Sequence, residues 1–194
     1  MAITEVSRPL ISLALPQDRT SRRLMQVGAV LAGTALLALS AKVTVPFWPV
    51  PMTLQVLAVF LIGAAYGRDL ALATLLAYLA QGAVGLPVFA SGAGLAYMAG
   101  PTGGYLIGFV VAAAIAGHAA DRGLDREPFR LFVAMLAGEA AILGLGAVWL
   151  AWLFGIQKAI SWGVGPFIVT DLVKAALAAA IVPAAWSIVA RLRR

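Results

Sequence analysis

Three ionisable side chains interrupt apolar runs in the second half of the chain: Glu139, Asp171 and Lys174. Charge at membrane depth is expensive, so each is a functional candidate by default. Asp171 and Lys174 stand three apart, which puts an acceptor and a donor on one helix face. Counted from Pro166, they lie roughly 8–12 Å below one end of the last helix. The pair either neutralises itself inside a bundle or turns both charges toward a pocket. Glu139 sits about halfway through the preceding helix, apparently deeper. It reads as a proton site, an acceptor behind the pocket, or a protonated carboxyl bonded within the bundle. His118, alone near a helix end, reads as interfacial.

Other chemistries are closed. Residues 100–104, GPTGG, carry a phosphate loop's glycines without the Lys-Ser/Thr it needs. With no Cys and one His, most metal and nucleophile schemes have no residues to use. The sequence predicts no enzyme, no resident cofactor, no metal site and no ATPase machinery of its own.

A second candidate is the stretch 82–105, GAVGLPVFASGAGLAYMAGPTGGY, which holds no Asp, Glu, Lys or Arg. Its glycines and Pro87 and Pro101 break helices. Uncharged irregular backbone between apolar runs must be buried in protein or line a cavity. A short, Gly/Pro-interrupted hydrophobic segment is also where membrane carriers place their substrates. This stretch therefore reads as the lid or wall of a small-molecule site.

The elements that would position these residues follow from composition. The 194 residues are 62% hydrophobic and 11% charged, with mean hydropathy +0.97. Ordinary soluble domains carry about 25% charged residues. The expected fold is an all-α integral membrane protein, a six-helix transmembrane bundle with a Gly-rich irregular external segment after helix 3. Residues 1–23 read as a cytoplasmic tail, 24–190 as the membrane domain and 191–194 as a basic cytoplasmic end. The spans fall at 24–41, 53–67, 70–81 (short), 103–120, 131–154 and 166–190, with an external loop at 155–165 and Pro166 in a first helical turn. An extended connection at 42–52 carries Phe47 and Trp48, either as interfacial anchors or as cover for a pocket. With both ends inside, Arg8, Arg19, Arg22, Arg23, Arg68, Arg122, Arg126, Arg130, Arg191, Arg193 and Arg194 are cytoplasmic, and only Lys42 and Lys158 are external. That positive-inside asymmetry explains the net charge of +6 without nucleic acid. In the first helix, Gly28, Ala29, Ala32 and Gly33 form small-xxx-small pairs suited either to docking a partner helix or to internal packing.

The segments PVPMTLQ (49–55), GLPVFA (85–90), GPTGGYLIGF (100–109) and DLVKAALAA (171–179) together resemble the BioY family, the biotin-binding S components of energy-coupling factor transporters. With the six-span layout, the resemblance covers nearly the whole chain beyond the tail. It implies biotin as ligand and a membrane-embedded substrate-binding subunit. It also implies a partner transmembrane coupling protein with paired ATPases, and a bacterial cytoplasmic membrane with both termini inside. Family members that work without these partners also exist. A ureido ring offers two N–H donors and a carbonyl acceptor, which an Asp and a Lys complement. The resemblance places Asp171, Lys174, Gln55, Phe89, Ser91, Tyr97, Gly103, Gly104 and Tyr105 at the ligand. Some members carry an Arg directly after GPTGGY, where it can meet the ligand's carboxylate; here that position is Leu106. Backbone N–H groups at the Gly103–Gly104 helix start, Ser91, Tyr97 or solvent are the substitutes the sequence offers. An S component for another vitamin, or a self-sufficient proton-coupled carrier using Glu139, is the alternative function.

Overall fold

The structure is a computed structural model that describes residues 9–192; Arg8, Arg193 and Arg194 of the expected basic side lie outside the described residues. A short 3-10 turn, Leu10–Leu13, precedes the first helix. Asp18 accepts a bond from the Ser21 N–H at 2.8 Å and so caps α1, Arg19–Lys42. That cap starts the helix about one turn before residue 24, and the Arg side chains of the added turn are long enough to reach the polar boundary.

The connection that follows is a two-stranded ribbon, β1 (Thr44–Val45) against β2 (Met52–Thr53), with Thr44 opposite Thr53. Its tip holds Phe47, Trp48 and a cis Trp48–Pro49 bond. Helices α2 (Gln55–Tyr66) and α3 (Arg68–Ala83) meet at Gly67, whose φ of 76° makes the tight turn. The Gly-rich stretch then runs irregularly, apart from the five-residue α4 (Gly94–Met98). Beyond it come α5 (Gly103–Asp121), α6 (Pro128–Phe154), α7 (Ile156–Lys158) and α8 (Gly165–Leu192).

Helix α5 is the packing centre because its small residues let neighbours approach at backbone distance. A methyl on Gly108 would stand 2.7 Å from the Cα of Ile142 in α6. One on Gly63 of α2 would stand 2.8 Å from the Ala116 methyl of α5. Both are closer than real carbon contacts, so these seams admit only hydrogen.

One expectation is not confirmed and another is corrected. Among the described residues, 4 helices are long and apolar enough to cross a membrane: Arg19–Lys42, Gly103–Asp121, Pro128–Phe154 and Ile156–Leu192. The count of six is not met by length, since α2 has 12 residues and α3 has 16, about 18 and 24 Å against a core of about 30 Å. The loop expected at 155–165 is also absent. Gly155, at φ 89°, turns the chain, and helix resumes at once through α7 and a π-helical stretch, Ala159–Val164, into α8. The wider π closure precedes Pro166, whose ring and missing N–H would not fit a standard helical turn.

Apolar side chains are turned outward. Leu24, Val27, Leu31, Leu39, Val148, Trp152 and Val169 are exposed, while Gln55, Glu139 and Asp171 are buried. Such a surface suits lipid and not water. This is a membrane protein.

Candidate functional site

At the end of the bundle formed by the ribbon, the Gly-rich stretch and the starts of α5 and α8, the helices enclose a cavity. Asp171 of α8 forms its polar floor. It is 2% exposed, with Lys174 Nζ at 2.5 Å from its Oδ1. The Thr170 hydroxyl, which lies 2.9 Å from the Phe167 carbonyl, also comes within 3.4 Å of Oδ1. One turn earlier on the same face, Phe167 adds apolar wall. Helix α5 supplies Tyr105, Leu106 and Phe109, and α2 supplies Gln55 and Val56.

A chain of hydrogen bonds ties the lid to this wall. Gln55 Nε2 donates to the Tyr78 hydroxyl at 2.8 Å, and that hydroxyl donates to the Val88 carbonyl at 3.0 Å. The lid residue Phe89 stands edge-on to Tyr78, with ring centroids 5.5 Å apart, and stacks on Tyr97 at 4.9 Å and 15°. From the first helix, Lys42 Nζ donates to the Phe89 carbonyl at 2.6 Å. Across the cavity, the Tyr105 hydroxyl donates to the Gly163 carbonyl at 2.6 Å and fastens the π-helical stretch. Trp149 Nε1 holds the Gly100 carbonyl at 2.9 Å. The cavity is dry-walled and small, about 40 Å³, room for a few waters.

Of the residues singled out by sequence, Asp171, Lys174, Gln55, Phe89, Tyr97 and Tyr105 share this cavity. Three do not. Ser91 is exposed and lines the adjoining open cleft between the lid and the ribbon tip. Gly103 and Gly104 are buried against α6, where an added methyl would run into Trp149 and the Leu145 carbonyl. Their hydrogens serve helix packing. Glu139 is not on the wall either. It lies behind Asp171 at the α6–α8 seam, 4% exposed, with its carboxyl beside that of Asp171. His118 is exposed at the Arg-rich end.

Thr53, Thr102, Phe109, Ile142 and Phe167 also line the cavity and were not marked by sequence. Phe109 and Phe167 were within reach, each four residues from a marked residue (Tyr105 and Asp171) on the same helical face. Ile142 is one apolar residue among many in its helix, and nothing in its type sets it apart.

On the first helix the small residues divide. Gly28 is open, with nothing within 4 Å of an added methyl, and Ala32 is exposed. Gly33 is buried, and a methyl added there would stand 2.5 Å from Thr74 Cγ2 and 3.3 Å from Tyr66 Cε2. The Ala29 carbonyl accepts from Tyr66 at 3.0 Å. Ala29 and Gly33 thus face inward, whereas Gly28 and Ala32 are open.

Comparison with known proteins agrees with this architecture. A profile of the BioY family matches residues 14–191. A probable biotin transporter BioY of Pyrococcus horikoshii is 43% identical over 157 residues, covering 80% of this chain and 93% of that protein. The biotin transporter BioY of Thermotoga maritima is 40% identical over 163 residues, covering 82% and 93%. In structure, the S-component for biotin from an ECF-type ABC transporter superposes with a TM-score of 0.76 at 23% identity, over 89% of this chain and 95% of that one. A profile spanning nearly all the described residues, with two relatives matched over most of their length, settles the family: the chain belongs to the BioY family.

Proposed function

We propose that this protein captures biotin and serves its uptake as the substrate-binding subunit of an ECF-type transporter. The observation that carries the reading is the Asp171–Lys174 pair at the floor of an otherwise apolar cavity, in a chain of this family. Asp171 accepts from a ureido N–H, and Lys174 donates to the ureido carbonyl. Both bonds are charge-assisted and therefore of the stronger kind. The bicyclic body and acyl tail then lie against Phe109, Leu106, Phe89 and Tyr97. The protein is a transport subunit and not an enzyme.

The cavity end faces outside and the Arg-rich end the cytoplasm of a bacterial cell, following the charge asymmetry. Helices α2 and α3, enclosed by longer neighbours, complete six passes, because the irregular backbone that extends them is shielded by protein. A coupling membrane protein and ATPase subunits meet the cytoplasmic side. Titration of the purified protein with a vitamin panel, read by tryptophan fluorescence near Trp149 and Trp162, tests the ligand. Saturable binding of biotin well above thiamine and riboflavin is expected, and equal or absent biotin binding defeats the reading.

The buried carboxyl of Glu139 favours one second reading, a carrier driven by protons through that residue. Loss of uptake in Glu139→Gln, with Asp171→Asn tolerated, would support it.

A further inference from the structure

We infer that Lys42 is the residue that recognises the ligand's carboxylate, taking the place of a cation at position 106. The inference rests on the biotin reading above and names what holds the end of the molecule remote from Asp171. Leu106 lines the cavity and is 4% exposed, so that wall offers the carboxylate nothing. Among the described residues, the charged groups on the cavity wall are Asp171 and Lys174, bonded to each other at its floor. Ser91, Gly103 and Gly104 are off the wall, as described.

Lys42 reaches the opposite rim. From the last turn of α1 its ammonium crosses to the Phe89 carbonyl, 47 residues away in sequence, at 2.6 Å. A lysine serving only the C-terminal dipole of its own helix has no need of that reach. Phe89 and Ala90 form the rim there, and Ala90 and Pro51 are shared between the cavity and the open cleft outside it. A tail leaving the cavity at this rim comes toward the ammonium, which is bonded to the Phe89 carbonyl while Lys42 itself lines neither space. Lys42 carries three N–H donors, so it holds the Phe89 carbonyl and a carboxylate together.

The charge balance of this end points the same way. Besides Lys174, which is bonded to Asp171, the cations of this end among the described residues are Lys42 and Lys158, and Lys158 stands over the Trp162 ring at 5.3 Å from its centroid. Asp18, Asp69, Asp121, Asp125 and Glu127 all lie toward the Arg-rich end. Among the described residues, Lys42 has no carboxylate within salt-bridge distance. An anionic ligand is the counter-charge the rim lacks.

The test measures biotin and biotin methyl ester on the purified full chain in its wild-type, Lys42→Met and Lys42→Arg forms. Lys42→Met is expected to weaken biotin about tenfold and to leave the ester unchanged, with Lys42→Arg restoring biotin. The acid-to-ester ratio within each variant does not depend on how much protein is folded. Equal weakening of both ligands would make Lys42 a lid fastener only and overturn the assignment, as would no change in either. A wild type that binds neither ligand would defeat the biotin reading itself and this inference with it.

Discussion

A carboxylate that is 2% exposed in a membrane bundle persists because Lys174 and Thr170 surround it. In the proposed role biotin shares those same contacts, and mutation separates the two roles. Asp171→Asn keeps the size but turns a donor toward a ureido N–H, so biotin affinity should fall at least about tenfold, or 1.4 kcal/mol. Lys174→Met keeps the stem and removes the donor, weakening binding and also lowering the yield of folded protein by leaving Asp171 unpaired. The double variant Asp171→Asn/Lys174→Met removes the unpaired charge and should fold, yet still bind poorly in calorimetry. Full biotin affinity in that well-folded protein would make the pair a structural neutraliser. The pair was legible in the sequence because its partners are local, one turn apart on a single helix. The Gln55–Tyr78–Val88 relay was not, since its members lie 23 and 10 residues apart and their meeting depends on how the helices pack.

Among the elements, α5 shows how much of the architecture hydrogens decide. Gly108→Leu would force a side chain into Ile142 backbone, and overpacking of this kind costs about 1–3 kcal/mol. Gly144, on the neighbouring α6, has nothing within 4 Å of an added methyl, so Gly144→Ala should be neutral or gain up to about 1 kcal/mol from helix propensity. Thermal unfolding in detergent distinguishes them, and equal midpoints would remove α5 from its central place. The sequence revealed that these helices exist, because apolar length is a strong signal, but not which glycines seat a neighbour. It misjudged 155–165 for a related reason. Ser161, Gly163, Gly165 and Pro166 read as a turn in water, whereas backbone in an apolar surround keeps its bonds and stays helical. The four small residues of the first helix divide by the same geometry: positions one apart on a helix differ by about 100°, so Gly28 and Ala32 lie on a different face from Ala29 and Gly33.

For the whole molecule, the long last helix joins the cavity to the Arg-rich end. There Trp186 Nε1 donates to Asp125 Oδ2 at 2.5 Å, and the Arg126 guanidinium lies 4.3 Å from the Trp186 ring centroid. Asp125 is fully buried with Oδ1 unpartnered, and burial holds its carboxyl above the ordinary aspartate range, partly offset by Trp186 and Arg126. Its proton is therefore held more tightly folded than unfolded. As pH falls from neutral toward the free-aspartate range, the wild type should gain stability relative to Asp125→Asn; a constant difference in midpoint would show that Asp125 does not titrate with folding. The remaining question is which face would meet the proposed coupling subunits, and α1 divides it sharply. Gly28 and Ala32 form a smooth exposed strip flanked by Leu24 and Leu31, while Gly33 is closed over by Thr74 and Tyr66. If docking uses the exposed strip, Gly28→Leu/Ala32→Leu should leave biotin affinity and thermal stability intact, because neither side chain meets the bundle. The same protein should lose co-purification with the coupling subunits, and uptake should drop several-fold, since close helix approach needs small residues. Gly33→Leu should do the reverse, lowering stability first and uptake only through loss of folded protein. Wild-type uptake in the Gly28→Leu/Ala32→Leu variant would assign that strip to lipid and move the docking face to another helix.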